Sequence, residues 1–129
     1  DLVSRRLHEA GKFLAVHVDG EMRGALSLMA EVGVDCVDAA TPAPMFSLTP
    51  AEARAEAGPD LILSGGIPPT VFGSGGSDEA FERAVRSWLE TRLESPRLFL
   101  AAGDQVPPDA PWSRVMRLAE LVDEYGRYD

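Results

Sequence analysis

The sequence predicts an α/β fold of parallel strand–helix units, and three observations predict it. Four short, mostly apolar runs alternate with four amphipathic or Ala-rich helical patterns. The turns from helix to strand are brief, whereas the segments from strand to helix are longer and rich in Gly and Pro. Ionisable residues gather where the apolar runs end, as at His17 and Asp19. Strands alternating with helices form right-handed βαβ units, and such units make a parallel sheet.

The elements follow in order. Ser4–Ala10 reads as the tail of a helix, which suggests a longer natural protein cut at this point. Phe13–Val18 is the first strand, and Gly20 closes the stretch FLAVHVDG. Alternation along a strand puts His17 and Asp19 on one side, with Phe13 and Ala15. Glu21–Val32 places Met22, Ala25, Leu26, Met29 and Val32 on one helical face, with Gly33 as a C-cap. Val34–Ala39 is the second strand. Thr49-Pro50-Ala51-Glu52 has the form of a capping box with Pro at the first helical position. The helix it opens stops at Gly58-Pro59, and Asp60–Ser64 is the third strand. Ser77 caps a helix over Asp78–Glu94, whose stripe is Phe81, Val85, Trp88, Leu89 and Leu93. Arg97–Ala102 is the fourth strand. The last helix starts near Pro111, carries Val115, Leu118, Ala119 and Val122 as its stripe, and ends at Gly126. Apolar strands of this kind are expected where helices or other layers cover both faces of the sheet.

The unequal loops sharpen the fold class. The strand-to-helix segments rich in Gly and Pro are Asp19-Gly20, Ala40–Leu48, Gly65–Gly76 and Gly103–Ala110. Long loops on the carboxyl side of the strands describe the working face of a (β/α)8 TIM barrel. Four units make its carboxyl-terminal half, so residues 1–129 read as a single partial domain. An amino-terminal half before Asp1 or a second copy would complete it; a small open sheet is the other solution. A half-barrel alone would expose two sheet edges.

Composition narrows the partners. The 129 residues carry a formal net charge of −9, which argues against nucleic acid and anionic membrane surfaces. No apolar run reaches the length of a membrane span, and no secretory leader is visible. A single cysteine, Cys36, excludes an internal disulfide and fits a reducing cytoplasm. Cys36 sits mid-strand and reads as a buried, inert thiol. Trp88 and Phe81 read as core. His8, Arg114 and Arg117 read as solvated.

The candidate site collects the polar residues at the strand ends: His17 and Asp19, then Asp38 and Thr41, then Ser64-Gly65-Gly66, then Asp104 and Gln105. His17 with Asp19 and Asp104 has the donors for Zn²⁺ or another divalent metal with an open position. The same three side chains also suit metal-free acid/base work. Local readings compete: His17 ordering a loop, Asp19 as a turn residue or helix N-cap, Asp104 capping a turn. Ser64-Gly65-Gly66 either brings backbone N–H groups to an anionic ligand or makes a tight turn. Gly73–Gly76 lacks the lysine of a phosphate-binding loop.

The motifs FLAVHVDG, GVDCVDAATP, GPDLILSGGIPP, AAGDQVPPDAPW and the closing EYGRYD together resemble the carboxyl half of the uroporphyrinogen decarboxylase superfamily. The resemblance runs along almost the whole chain. It implies a (β/α)8 barrel with the site at the carboxyl ends of the strands. It also implies one of two chemistries: metal-free decarboxylation of a tetrapyrrole or similar acid, or methyl transfer linked to a corrinoid protein. The methyltransferases hold zinc through a His-x-Cys pair and a later Cys. On this sequence those positions fall on His17, Asp19 and Asp104, so both thiolates are carboxylates. An ionisable group at each ligand position favours the methyltransferase-like side. The decarboxylases need no cofactor, and their key residues lie in the amino half. Asp38, Thr41, Ser64, Gly65, Gly66 and Gln105 would then meet a small-molecule substrate. A barrel fragment without catalysis is the remaining reading.

Overall fold

The computed structural model describes residues 1–128 and runs as follows. Helix α1 (Leu2–Glu9) leads to β1 (Ala15–His17), α2 (Leu26–Glu31), β2 (Cys36–Ala40) and α3 (Pro50–Ala57). Then come β3 (Ile62–Ile67), α4 (Pro69–Phe72), α5 (Asp78–Glu90), a 3₁₀ turn at Thr91–Leu93, β4 (Leu98–Ala102) and α6 (Trp112–Tyr125). The strands form one sheet in the order β1-β2-β3-β4, and every pairing is parallel. Spatial order equal to chain order is the winding of a (β/α)8 barrel. A doubly wound sheet reverses its order at a switch point and carries helices on both faces.

One face of the sheet is covered. Val37 and Leu63 are fully buried there against Met22, Leu26, Leu48, Ala53 and Trp88, with Val16, Leu98 and Leu100 packed alongside. A second cluster joins Ile67 and Phe72 to Phe81, Val85, Leu89 and Leu121, so α6 packs on α5 rather than directly on the sheet. The register sets the other face. Ala15 lies opposite Cys36, His17 opposite Asp38, Cys36 opposite Ile62, and Ser64 opposite Phe99. Paired residues of parallel strands point the same way, so these seven residues share a face. That face is open: Phe99 is 60% exposed, and Phe13, just before β1, is 83% exposed. Cover on both faces was the expectation; this chain covers only one. In a closed barrel the open face is the interior.

Local signals explain most element boundaries. Thr49 Oγ1 accepts from the Glu52 N–H at 3.2 Å, and the Glu52 carboxylate accepts from the Thr49 N–H at 2.8 Å. That reciprocal pair is the capping box, with Pro50 in the first turn. Ser77 caps α5 by accepting from the Ala80 N–H. Other boundaries differ from the sequence expectation. The helix expected over Glu21–Val32 is regular only over Leu26–Glu31, because Gly24 at φ +77° breaks its first turn. The helix expected to reach Glu94 tightens into a 3₁₀ turn at Thr91, where the Thr91 hydroxyl donates to the Trp88 carbonyl. Leu93 is therefore exposed rather than core.

The third strand differs most. Ser64-Gly65-Gly66 was expected at the strand end or in a tight turn, but β3 continues through both glycines to Ile67. Gly65 has φ +140° and its would-be Cβ meets the Ala40 backbone; Gly66 has φ +97° and its would-be Cβ meets the Trp88 ring. The glycines allow close packing against β2 and α5. The loop beyond holds an additional short helix, α4, which Pro68 and Pro69 start.

Arg114 is not solvated as expected; His8 is exposed, as expected, though paired with Asp35, and Arg117 is half-buried among carboxylates. Arg114 is 6% exposed. Its guanidinium donates to the carbonyls of Val71, Phe72, Gly73 and Gly76 and to the Asp78 carboxylate. His8 Nε2 meets Asp35 at 2.8 Å, and Asp35 also accepts the Leu14 N–H. Arg117 pairs with Glu82, Glu120 and Glu124, and these three carboxylates push its pKa up. Arg54, unnoticed in the sequence, is 2% exposed and ties the carbonyls of Gly58, Leu61 and Arg97 together at the amino end of the sheet. Burial pushes its pKa down. Of the closing EYGRYD, Asp129 lies outside the described residues.

Candidate functional site

The carboxyl ends of the strands bring together the residues the sequence singled out most sharply. His17 ends β1, Asp19 follows two residues later, and Asp104 follows β4. Each offers a ligand atom, and these atoms all lie within 4.8 Å of one another. All three side chains are exposed. Asp19 and Asp104 also line a cavity of about 210 Å³ with Val18, Gly20, Thr41, Met45, Phe46 and Gly103. Met45 and Phe46 were not singled out from the sequence. The signal for them is two large apolar residues inside an otherwise Pro-rich loop.

The competing local readings can now be separated. Asp19 does not cap α2, which begins only after Ala25 and has no side-chain cap. The loop is tied instead by Glu21, whose carboxylate accepts from the N–H groups of Arg23 and Ser47. Those bonds hold the Glu21 carboxyl below its ordinary pKa. Asp104 makes no hydrogen bond or ion pair among the described residues. Its placement comes from the backbone beside it: the Thr41 hydroxyl donates to the Gly103 carbonyl at 2.5 Å. A Cβ at Gly103 would collide with that hydroxyl. Thr41 is buried, so its hydroxyl joins the second strand-end loop to the fourth. Gln105 is exposed and lies outside the cavity wall.

His17 is held from two sides. Its Nδ1 lies 2.9 Å from Asp38 Oδ2, and its Nε2 lies 3.3 Å from Asp19 Oδ1. A carboxylate only accepts, and the contact with hydrogen-bond geometry is the one to Asp38, so Nδ1–H donates there; Nε2 makes only the longer approach to Asp19. Asp38 Oδ1 in turn accepts from the Ser64 hydroxyl at 3.2 Å. Just past Asp38 the strand is irregular. Its register with β3 shifts between Val37 and Ala40, and Ala39 sits at φ +61°. Bulges and left-handed non-glycine residues cluster at functional sites, where they re-aim side chains. Cys36, one turn of the pleat before Asp38, is half-buried. Burial first, then Asp38 and Asp35, push its thiol pKa up. A thiol held protonated suits the inert reading.

The hydrogen bond to Asp38 is the main cause that raises the His17 pKa above 6.5, with Asp19 adding to it. Conversely, His17 and Ser64 lower the Asp38 pKa. The raised His17 pKa stabilises the fold most below the unfolded-state value and loses that contribution as pH rises through the folded value. We expect NMR titration of His17 to give a midpoint above 6.5, and Asp38→Ala to move it down. A midpoint unchanged by Asp38→Ala would contradict the pairing.

A larger cleft lies elsewhere. About 410 Å³ lies between α5 and α6, lined by Asp78, Phe81, Glu82, Arg114, Met116 and Arg117 among others. Its arginines are already paired with Asp78, Glu82 and Glu120. It is a helix seam on the outer layer, remote from the strand ends that carry the ionisable cluster.

A singly wound set of βα units, with its ionisable side chains at the carboxyl ends of the strands, defines a partial (β/α)8 barrel with its site where such barrels place theirs. The family model for Uroporphyrinogen decarboxylase (URO-D) matches residues 2–125, and the chain belongs to that family. A solved methyltransferase from Methanosarcina mazei has the same fold over 97% of this chain, with a TM-score of 0.73 and 18% sequence identity. The match covers 35% of that methyltransferase. No curated protein sequence matches the chain.

Proposed function

We propose that this segment supplies the metal-holding part of a methyltransferase-like active site. The observation that carries the reading is the His17–Asp19–Asp104 cluster, three ligand atoms within 4.8 Å at the strand ends. The donor set fits a divalent ion. One imidazole nitrogen and two carboxylate oxygens suit Zn²⁺, and more weakly discriminate it from harder cations than thiolates would. Three protein ligands leave a position open for substrate, and the ion supplies Lewis acidity there. Asp104, without another partner among the described residues, and exposed Asp19 supply the carboxylates. Met45 and Phe46 provide an apolar wall for a small substrate. A corrinoid protein is the proposed methyl-group partner, and an amino-terminal half or a second copy is proposed to cover the open sheet face.

The cavity also weighs against the decarboxylase alternative in this segment. Gripping several substrate carboxylates requires cations, and none lines the strand-end cavity among the described residues. Its ionisable walls are Asp19 and Asp104, which would repel such a substrate.

A thermal-shift comparison on the intact natural chain tests the reading. Zn²⁺ or another divalent ion is expected to raise Tm by several degrees, as ligand binding to the native state does. The shift should shrink on acidification, because protons compete for His17 and the carboxylates. Stabilisation by a porphyrin carboxylate and not by metal would favour the decarboxylase. No shift with either would favour the non-catalytic reading.

A further inference from the structure

We propose that Asp38, braced by Ser64, is a positioning residue that fixes the imidazole of His17 so that Nε2 faces the open strand-end cluster. The inference builds on the metal reading above, but the ring orientation can be measured without metal.

Four observations carry it. First, His17 and Asp38 are register partners on adjacent strands, so their side chains leave the sheet together. Second, Nδ1–H donates to Asp38 Oδ2 at 2.9 Å, and Nε2 is the nitrogen facing Asp19. Third, the second oxygen of Asp38 is occupied by the Ser64 hydroxyl, itself on β3 of the same open face. Asp38 stands outside the three-residue cluster while it pairs with His17 and Ser64, so it orients rather than ligates. Fourth, the register shift between Val37 and Ala40 and the left-handed Ala39 show an irregular backbone immediately after Asp38. A carboxylate behind a ligating histidine fixes its tautomer and raises its basicity, and its loss typically weakens metal binding about 10–100-fold. The sequence alone left Asp38 and Ser64 as substrate contacts; their mutual hydrogen bond gives them this different role.

The test uses the intact natural chain in four forms: parent, Asp38→Ala, Asp38→Asn and Ser64→Ala. Nitrogen NMR of His17, taken without metal and above its titration, reads the tautomer. The parent is expected to hold the proton on Nδ1. Asp38→Ala is expected to lose that preference, and Asp38→Asn, which keeps an acceptor oxygen, to retain most of it. Zn²⁺ affinity measured by chelator competition is expected to fall about 10–100-fold in Asp38→Ala and less in Ser64→Ala. An unchanged tautomer in folded Asp38→Ala overturns the proposal. Should Asp38→Ala fail to fold, the parent tautomer and Asp38→Asn decide instead: a parent with its proton on Nε2 overturns it. A parent with the expected tautomer but no Zn²⁺ affinity supports the positioning role and defeats the metal reading alone, so the two failures are distinguishable.

Discussion

Gly66→Ala is expected to destabilise the fold by about 3–5 kcal/mol, enough to unfold much of a typical marginally stable domain. Two costs combine. Gly66 sits at φ +97°, a region L side chains rarely adopt. Its would-be Cβ also falls 2.1 Å from the indole of Trp88, and Trp88 is fully buried. The ring cannot step aside, because its Nε1–H donates to the Phe99 carbonyl at 3.1 Å and its faces are packed into the core. Gly75→Ala is the matched control. It has open space around it and no left-handed φ, so its effect should stay within about 0.5 kcal/mol. Urea denaturation of both variants in the intact chain checks the pair. A Gly66→Ala protein as stable as the control would contradict the packing of α5 on β3.

Arg114→Ala is expected to cost about 2–4 kcal/mol, the second largest effect. Removing the guanidinium takes a donor from the carbonyls of Val71, Phe72, Gly73 and Gly76, and only Gly73 keeps another, the Gly76 N–H. It also removes the cation stacked 5.8 Å from the Phe81 ring. Most of the loss is the cost of buried acceptors left unpaired; the Asp78 pair contributes little because Asp78 is exposed. Arg114→Lys should recover only part of the stability, since an ammonium cannot present the planar fork that reaches several carbonyls at once. Amide exchange at Gly73–Gly76 should quicken in both variants. Parent-like exchange and stability in Arg114→Ala would contradict the bracing role.

These two residues also mark where sequence reading stopped. The strands, the capping box at Thr49, the cap at Ser77 and the core positions Phe81 and Trp88 were legible, because each is written in local periodicity or a short motif. Gly65-Gly66 has the same letters in a turn as in a strand pressed against an indole. Only the approach of Trp88, 22 residues further on, decides between them. Arg114 and Arg54 look like ordinary charged helix residues. Their burial comes from carbonyls that distant segments deliver, which no periodicity reports. At the site, His17, Asp19 and Asp104 were legible because strand ends were. The Asp38–His17 pair and the Ser64–Asp38 bond were not, since they depend on register across three strands.

The central claim is that His17, Asp19 and Asp104 hold a divalent metal. Elemental analysis of the purified, intact natural chain tests it most directly, alongside His17→Ala and Asp104→Ala. We predict about one divalent ion per parent chain, as for a mononuclear site with three protein ligands, and a marked loss in both variants. A folded parent that contains no divalent ion and takes up none on incubation with Zn²⁺ would contradict the claim, and would leave the three residues to acid/base work.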